Sequence, residues 1–246
     1  MIFKFFGRKK DEKKSNQTKS LRLEEDLNKL LSDLENGDMK YLVKQMGNDN
    51  IYSELLHKKR KYEISSTDDI SWYAYRQSEK LSSARDKNEL LQILLDKEFA
   101  SFKKYIYTCL ANICSNNNDR ELFNFLVDKV LYEDDDSITT SVLSRFGEVK
   151  KDETFNIEPI KKLVVSGTYD VSHAAIKALS NSNDSEVETL LLDEFKITDR
   201  HMQGMICGPL STVGTLKSIP VLKETYKKQE TVFFVGQLMM QYIELK

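Results

Sequence analysis

Residues Ala174-Ala175-Ile176-Lys177-Ala178-Leu179-Ser180-Asn181-Ser182-Asn183-Asp184 carry the pattern that decides the fold: a helix of small and branched apolar residues running into an Asn/Asp/Ser turn. Alanines let two helices approach closely, and Asx side chains supply turn chemistry that elsewhere comes from glycine and proline. The arrangement recurs on both sides. The strongest apolar helix centres are Leu110, Leu143, Leu179, Leu210 and Met240, at intervals of 33, 36, 31 and 30 residues. Between successive centres lies another amphipathic segment: Leu122-Phe123 with Leu126 and Val130, Ile160 with Leu163-Val164, Leu190-Leu191-Leu192 with Phe195, and Val221-Leu222 with Tyr226. Each unit therefore predicts two antiparallel helices and a turn. One such pair cannot bury its apolar side alone, so a period of this length predicts a stack.

Leu210-Ser211-Thr212-Val213-Gly214, followed by Ser218-Ile219-Pro220-Val221-Leu222, resembles the junction between two HEAT repeats. Leu143-Ser144-Arg145-Phe146-Gly147, followed by Glu158-Pro159-Ile160-Lys161-Lys162-Leu163, is a looser copy, and Ala174 to Leu179 resembles the small-residue second helix of such a repeat. A proline in the first helical turn removes no hydrogen bond, because that N–H has no intrahelical partner. The units at Leu110 and Met240 lack the alanines and the glycine. The resemblance spans roughly residues 88–246. Pattern and resemblance together predict an all-α, right-handed superhelix of antiparallel helical hairpins, about five of them. HEAT-like folds host many roles, so the resemblance does not name a function.

Composition agrees with helices. Glycine and proline number 9 and 3 in 246 residues, about 5% against roughly 12% in ordinary proteins. That shortage argues against sandwiches, barrels and nucleotide-binding α/β folds, which need tight turns. Residues 1–20 hold seven Lys/Arg against Asp11 and Glu12, a charge of +5, which leaves −7 on residues 21–246 of a chain whose net charge is −2. After Phe6 this segment has no apolar residue before Leu21, so it is expected to be a disordered basic leader. Residues 21–87 predict a less regular helical part. Its stripes are Leu23, Leu27, Leu30, Leu31 and Leu34; Met39, Leu42, Val43 and Met46; Ile51, Leu55 and Leu56, ending in the basic block His57–Lys61; and Ile70, Trp72, Tyr73, Tyr75 and Leu81 behind a cap at Ser66–Asp69. Residues 88–246 hold the repeats.

No phosphate loop, GxGxxG, HExxH, GxSxG or EF-hand spacing is present, so no cofactor is expected and the chain is not read as an enzyme. Cys109, Cys114 and Cys207 form no CxxC pair and predict buried, reduced thiols in a cytoplasmic protein. His173 and His201 fall at the start of the second helix in neighbouring units, where they would stack. No carboxylate or cysteine stands at ligand spacing beside them, so no metal is expected. Glu133–Asp136 predicts a solvated loop capping a helix near Ser137, and Gly204 with Gly208 predicts close helix packing. Asp68-Asp69 with Trp72 would suit a glycosylase-like nucleic-acid enzyme, but residues 21–246 are net acidic and nucleic acid is disfavoured.

The expected binding surface is the inner, concave face, lined by second helices. Lys104, Arg145, His173, Lys177, Arg200 and Gln203 would face outward there. This cationic row in an acidic chain suits an acidic protein or peptide partner, as in a small bacterial scaffold or an immunity-type protein. The last helix, with Phe233, Phe234, Met239 and Met240, is apolar nearly all round and would be self-buried or dock on another protein. Ile2, Phe3, Phe5 and Phe6 with the leader lysines supply a further alternative, recruitment to a membrane surface.

Overall fold

The computed structural model describes residues 29, 32–34, 36–48, 70–131 and 133–228. The leader, the helix predicted around Ile51 to Lys61, the cap at Ser66–Asp69 and the final apolar helix with Phe233, Phe234, Met239 and Met240 lie outside the described residues. Among the described residues the chain is all-helical, with eleven α-helices, one 3₁₀ helix and no strand. None of these helices is long and apolar enough to cross a membrane. The chain divides into two compact units, Met1–Glu79 and Lys80–Lys246.

In the first unit α1 (Met39–Met46) packs against α2 (Ile70–Ser78). Asp38 caps α1 by accepting the Tyr41 N–H at 2.7 Å, which satisfies one of the orphan donors at a helix start. Leu42, Val43 and Met46, spaced three and four apart, are buried with Tyr73 and Ala74. Trp72 is half-buried, with the Arg76 guanidinium 5.8 Å from its ring centroid.

The second unit holds α3 (Ala84–Leu95), the 3₁₀ helix Lys97–Phe102, α4 (Lys103–Asn117), α5 (Arg120–Val130), α6 (Asp136–Phe146), α7 (Glu158–Ser166), α8 (Tyr169–Ala178), α9 (Ser185–Ile197), α10 (Arg200–Val213) and α11 (Ile219–Lys228). Consecutive helices pack in pairs: α3 with α4, α5 with α6, α7 with α8, α9 with α10. The even-numbered helices also pack in succession, α4 on α6, α6 on α8 and α8 on α10. α8 thus has neighbours on three sides, and its Ala174, Ala175 and Ala178 are buried where a larger side chain would hold those neighbours apart. The core runs through Leu90, Ile106, Leu110, Leu143, Ile160, Leu179, Leu191 and Leu210. Each contributes about 1.5–3 kcal/mol by leaving water. Phe123, on α5, lies with its ring centroid 4.3 Å from Phe146 and 5.1 Å from Phe155.

Two sets of connections stitch neighbouring pairs together. In the last three pairs, the fourth residue of the even helix bonds the carboxyl end of its odd partner. Thr139 Oγ1 donates to Val130 O at 3.2 Å, Ser172 Oγ to Val164 O at 2.7 Å and Gln203 Nε2 to Phe195 O at 2.9 Å. These donors recur at intervals of 33 and 31 residues and satisfy carbonyls that the helix end leaves unpaired. Adjacent within-pair connections touch through Lys103–Glu133 (3.3 Å), Thr168 donating to Asp136 (2.7 Å) and Tyr169 with His201 (2.7 Å).

The between-pair connections are joined by asparagine and backbone. Asn118 and Asn181 adopt left-handed backbone, with φ of 50° and 57°, a conformation that asparagine tolerates better than most residues. Asn118 accepts the Lys150 N–H at 2.7 Å and donates to the Lys150 carbonyl at 3.1 Å. Asn181 donates through Nδ2 to Gly147 O at 2.8 Å. Lys151 N–H donates to Asn181 O, and Lys151 O accepts from Asn183 N–H, both at 2.9 Å. Asn118 with Asp119, and Asn181 to Asp184, therefore stand where Asx chemistry places turns, whereas Asn116 and Asn117 still belong to α4. Pro159 lies in the first turn of α7, as its sequence position predicts. Gly208 departs from the expectation of close packing: a methyl group there would meet nothing within 4 Å.

Candidate functional site

The even-numbered helices carry a groove of about 500 Å³ lined by Lys104, Asp136, Ser137, Thr140, Ser141, Ser144, Asp170 and His173. The α6 contribution follows from helical spacing. Ile138, Val142, Leu143 and Phe146 are buried, which turns Ser137, Thr140, Ser141 and Ser144 to the other side. Thr140, Ser141 and Ser144 each donate to the carbonyl four residues back, at 2.6 to 2.7 Å. Their oxygens keep lone pairs that can accept from a ligand.

Of the residues expected from sequence, Lys104 and His173 line this groove together. Arg145 and Lys177 sit in the last turns of α6 and α8. The two helix ends are close, since a methyl group at Gly147 would come within 3.0 Å of the Lys177 carbonyl. Arg200 opens α10 and is exposed. Gln203 gives its amide to Phe195 O and Thr198 O, so it caps α9. The cations do not stand alone: Asp136 and Asp170 share the groove and make it mixed in sign. Sequence reasoning chose cations and passed over these acids and the hydroxyl row, although the spacing 137, 140, 141, 144 marks one helix face.

His173 and His201 stack with centroids 6.1 Å apart and planes at 23°, as their spacing predicts. His201 Nδ1 pairs with the Tyr169 hydroxyl. His173 has a pKa below the usual histidine value, first because it is partly desolvated and then because His201 and Lys177 are near, against a smaller pull from Asp170. The stacked rings face one another instead of converging on a point, which does not suit a metal.

Three other clusters are internally satisfied. Glu158, Asp184 and Glu186 bring carboxylate oxygens within 4.8 Å of one another. The Lys161 ammonium pairs with all three, with Asp184 at 2.9 Å and Glu186 at 2.8 Å. Burial works against its charge, but these hydrogen bonds outweigh it and raise its pKa. A cavity of about 640 Å³ beside this cluster is lined by Asp152, Glu153, Thr154, Phe155, Glu158 and Asp184, among others. Glu188 is buried and accepts from Thr215 N at 2.6 Å, Thr215 Oγ1 and Ser218 Oγ at 2.6 Å. Burial alone would raise its pKa; the bonds from Ser218 and Thr215 hold it below the ordinary glutamate value.

Lys151 is 1% exposed. Its ammonium donates to Phe146 O at 2.8 Å and Val149 O at 2.6 Å. Burial lowers its pKa from 10.5 to about 7. All three cysteines are buried. Burial, with Asp119 nearby, pushes the Cys114 thiol up to about 12, far from a reactive thiolate. No protein-family model matches the chain, and no curated protein matches it.

Proposed function

We propose that the chain is a HEAT-like stack of antiparallel helical hairpins, wound as a right-handed superhelix, that binds a protein or peptide partner on the face of its even-numbered helices. The observation that carries this reading is the recurrence, every 31 to 33 residues, of the same bond from the fourth residue of an even helix to the end of its odd partner. Equivalent bonds at a fixed period are the mark of stacked equivalent units. In such a stack the second helices line one extended surface. Here that surface carries Lys104, Arg145, Lys177 and Arg200 among hydroxyls and two aspartates. Charged and hydroxyl groups on a shallow face suit recognition of a polypeptide with its own carboxylates. The reading is a non-catalytic scaffold or immunity-type protein, and three buried thiols fit a reducing cytoplasm.

A photo-crosslinking residue placed at Thr140, on this face, should capture one defined polypeptide in the native host, while the same residue at exposed Asp128 on α5 should not. Lys104→Glu with Lys177→Glu should abolish that capture and shift Tm by no more than about 2 °C, as exposed substitutions do. Equal capture from both positions, or capture that survives the double substitution, removes the even-helix face as the binding surface.

A further inference from the structure

Six large apolar side chains are exposed among the described residues, and five of them belong to the within-pair connections. Leu95 (78% exposed), Leu131, Val165 (64%) and Ile197 (78%) stand at the ends of the odd helices α3, α5, α7 and α9, and Tyr169 opens α8. The four odd-helix positions recur at intervals of 36, 34 and 32 residues, the same repeat that organises the fold. One apolar side chain is thus presented by each pair. The connections that carry them are continuous, because Lys103–Glu133, Thr168–Asp136 and Tyr169–His201 join each to the next. Scattered exposed leucines need no explanation, but a periodic row along one edge does.

The same connections are acidic. Asp96 and Glu98 follow Leu95, the run Glu133–Asp136 follows Leu131, Asp170 follows Tyr169, and Asp199 follows Ile197. Against these eight acids, residues 95–103, 131–136, 165–170 and 197–200 hold Lys97, Lys103 and Arg200, a net charge of −5, most of it in the run Glu133–Asp136. Such an edge repels a second copy of itself and repels an anionic lipid surface.

We propose that this edge is a docking surface for an extended, cationic peptide segment bearing an apolar residue at about every third position. Packed helices lie about 8–10 Å apart, and three residues of extended chain span about 10 Å, so successive apolar side chains of such a segment meet successive pairs. Lysines and arginines between them meet the N-cap aspartates. This surface borders the groove through Asp136 and Asp170 but does not use Lys104 or Lys177.

The test uses the full chain and a fluorescein-labelled peptide of four Leu-Lys-Arg repeats, followed by anisotropy. Its control is a peptide of four Ser-Lys-Arg repeats. The leucine peptide should bind at least about tenfold more tightly than the serine peptide. The variant Leu131→Ser/Val165→Ser/Ile197→Ser should lose at least about tenfold affinity for it while keeping Tm within about 2 °C. Lys104→Glu/Lys177→Glu should leave the affinity unchanged or tighter, which separates this surface from the even-helix face. The proposal is overturned by equal binding of both peptides, by binding that survives the triple substitution, or by binding that the Lys104/Lys177 variant loses. A concentration-dependent dimer that the triple variant abolishes would also overturn it, by assigning the edge to self-association.

Discussion

The two sets of connections in the second unit solve the same problem in opposite ways. Between pairs, the chain matches its polar groups: exposed Asn118 and Asn181 bond backbone, buried Lys151 turns its ammonium onto two carbonyls, and buried Glu188 takes three donors. Within pairs, most charge stays in water, Glu133 excepted, and apolar side chains are exposed, with Leu95 and Ile197 both 78% accessible. Polar groups that are buried must be matched, since each orphan costs about 1–3 kcal/mol. Exposed ones cost nothing when a partner is missing. The first set is therefore where stability resides, and the second is where the molecule has latitude to meet something else.

Substitutions separate the two regions, and the largest effect belongs to Glu188. Glu188→Ala strands the buried Ser218 hydroxyl and removes the acceptor of the Thr215 N–H, and should lower unfolding stability by about 3 kcal/mol in a denaturant titration. Asn181→Ala removes the bond to Gly147 O and places a Cβ-branched-free but non-glycyl residue in left-handed backbone. A loss of about 2 kcal/mol is expected, with Asn181→Gly recovering part of it because glycine relieves the backbone cost.

Lys151 makes a pH-dependent difference. In the unfolded chain it holds its proton up to about pH 10.5, but in the fold it releases it near 7. Between those values the unfolded chain binds more protons, so stability rises with pH from about 7 upward and is lost again as pH falls to 7, below which it is flat. From pH 7 to 8, below the range where the Cys114 thiol titrates in the unfolded chain and works the other way, the gain should be about 1 kcal/mol, and Lys151→Met should abolish it. The smallest effects lie on the other side. Glu133→Gln, which removes the pair with the half-exposed Lys103 but keeps an oxygen for the Tyr107 hydroxyl, should cost no more than about 1 kcal/mol. If the exposed-edge substitution Leu131→Ser cost as much as Asn181→Ala, the contrast between the regions would be lost.

The helices and their pairing were legible because they rest on local signals. Ala174 to Leu179 announces a close-packed helix, Asn116–Asp119 and Asn181–Asp184 announce turns, and Pro159 announces a helix start. The stacking of His173 on His201 was legible too, since a 28-residue separation places both at matching turns. What escaped was long-range. Nothing near Lys151 or Glu188 in sequence says that these charged residues turn inward. Their partners are Phe146, Val149, Thr215 and Ser218, and in the case of Glu188 they lie 27 and 30 residues away. The helix face of Gln203 is legible in sequence, but the reach of its amide back to Phe195 is not. Gly208 was taken for a packing contact because glycines four apart often are one, whereas here the neighbouring space is open.

The segment from Gly147 to Lys151 is gripped from two directions, by Asn118 at Lys150 and by Asn181 at Gly147 and Lys151. Its length is therefore as constrained as its residues. Adding one amino acid there would slide one grip out of register whenever the other closed, and would carry the lysine out of its seat. The same insertion after Ile197 would merely lengthen a surface turn. Natural relatives of this chain should therefore vary in length at one set of bends and stay constant at the other.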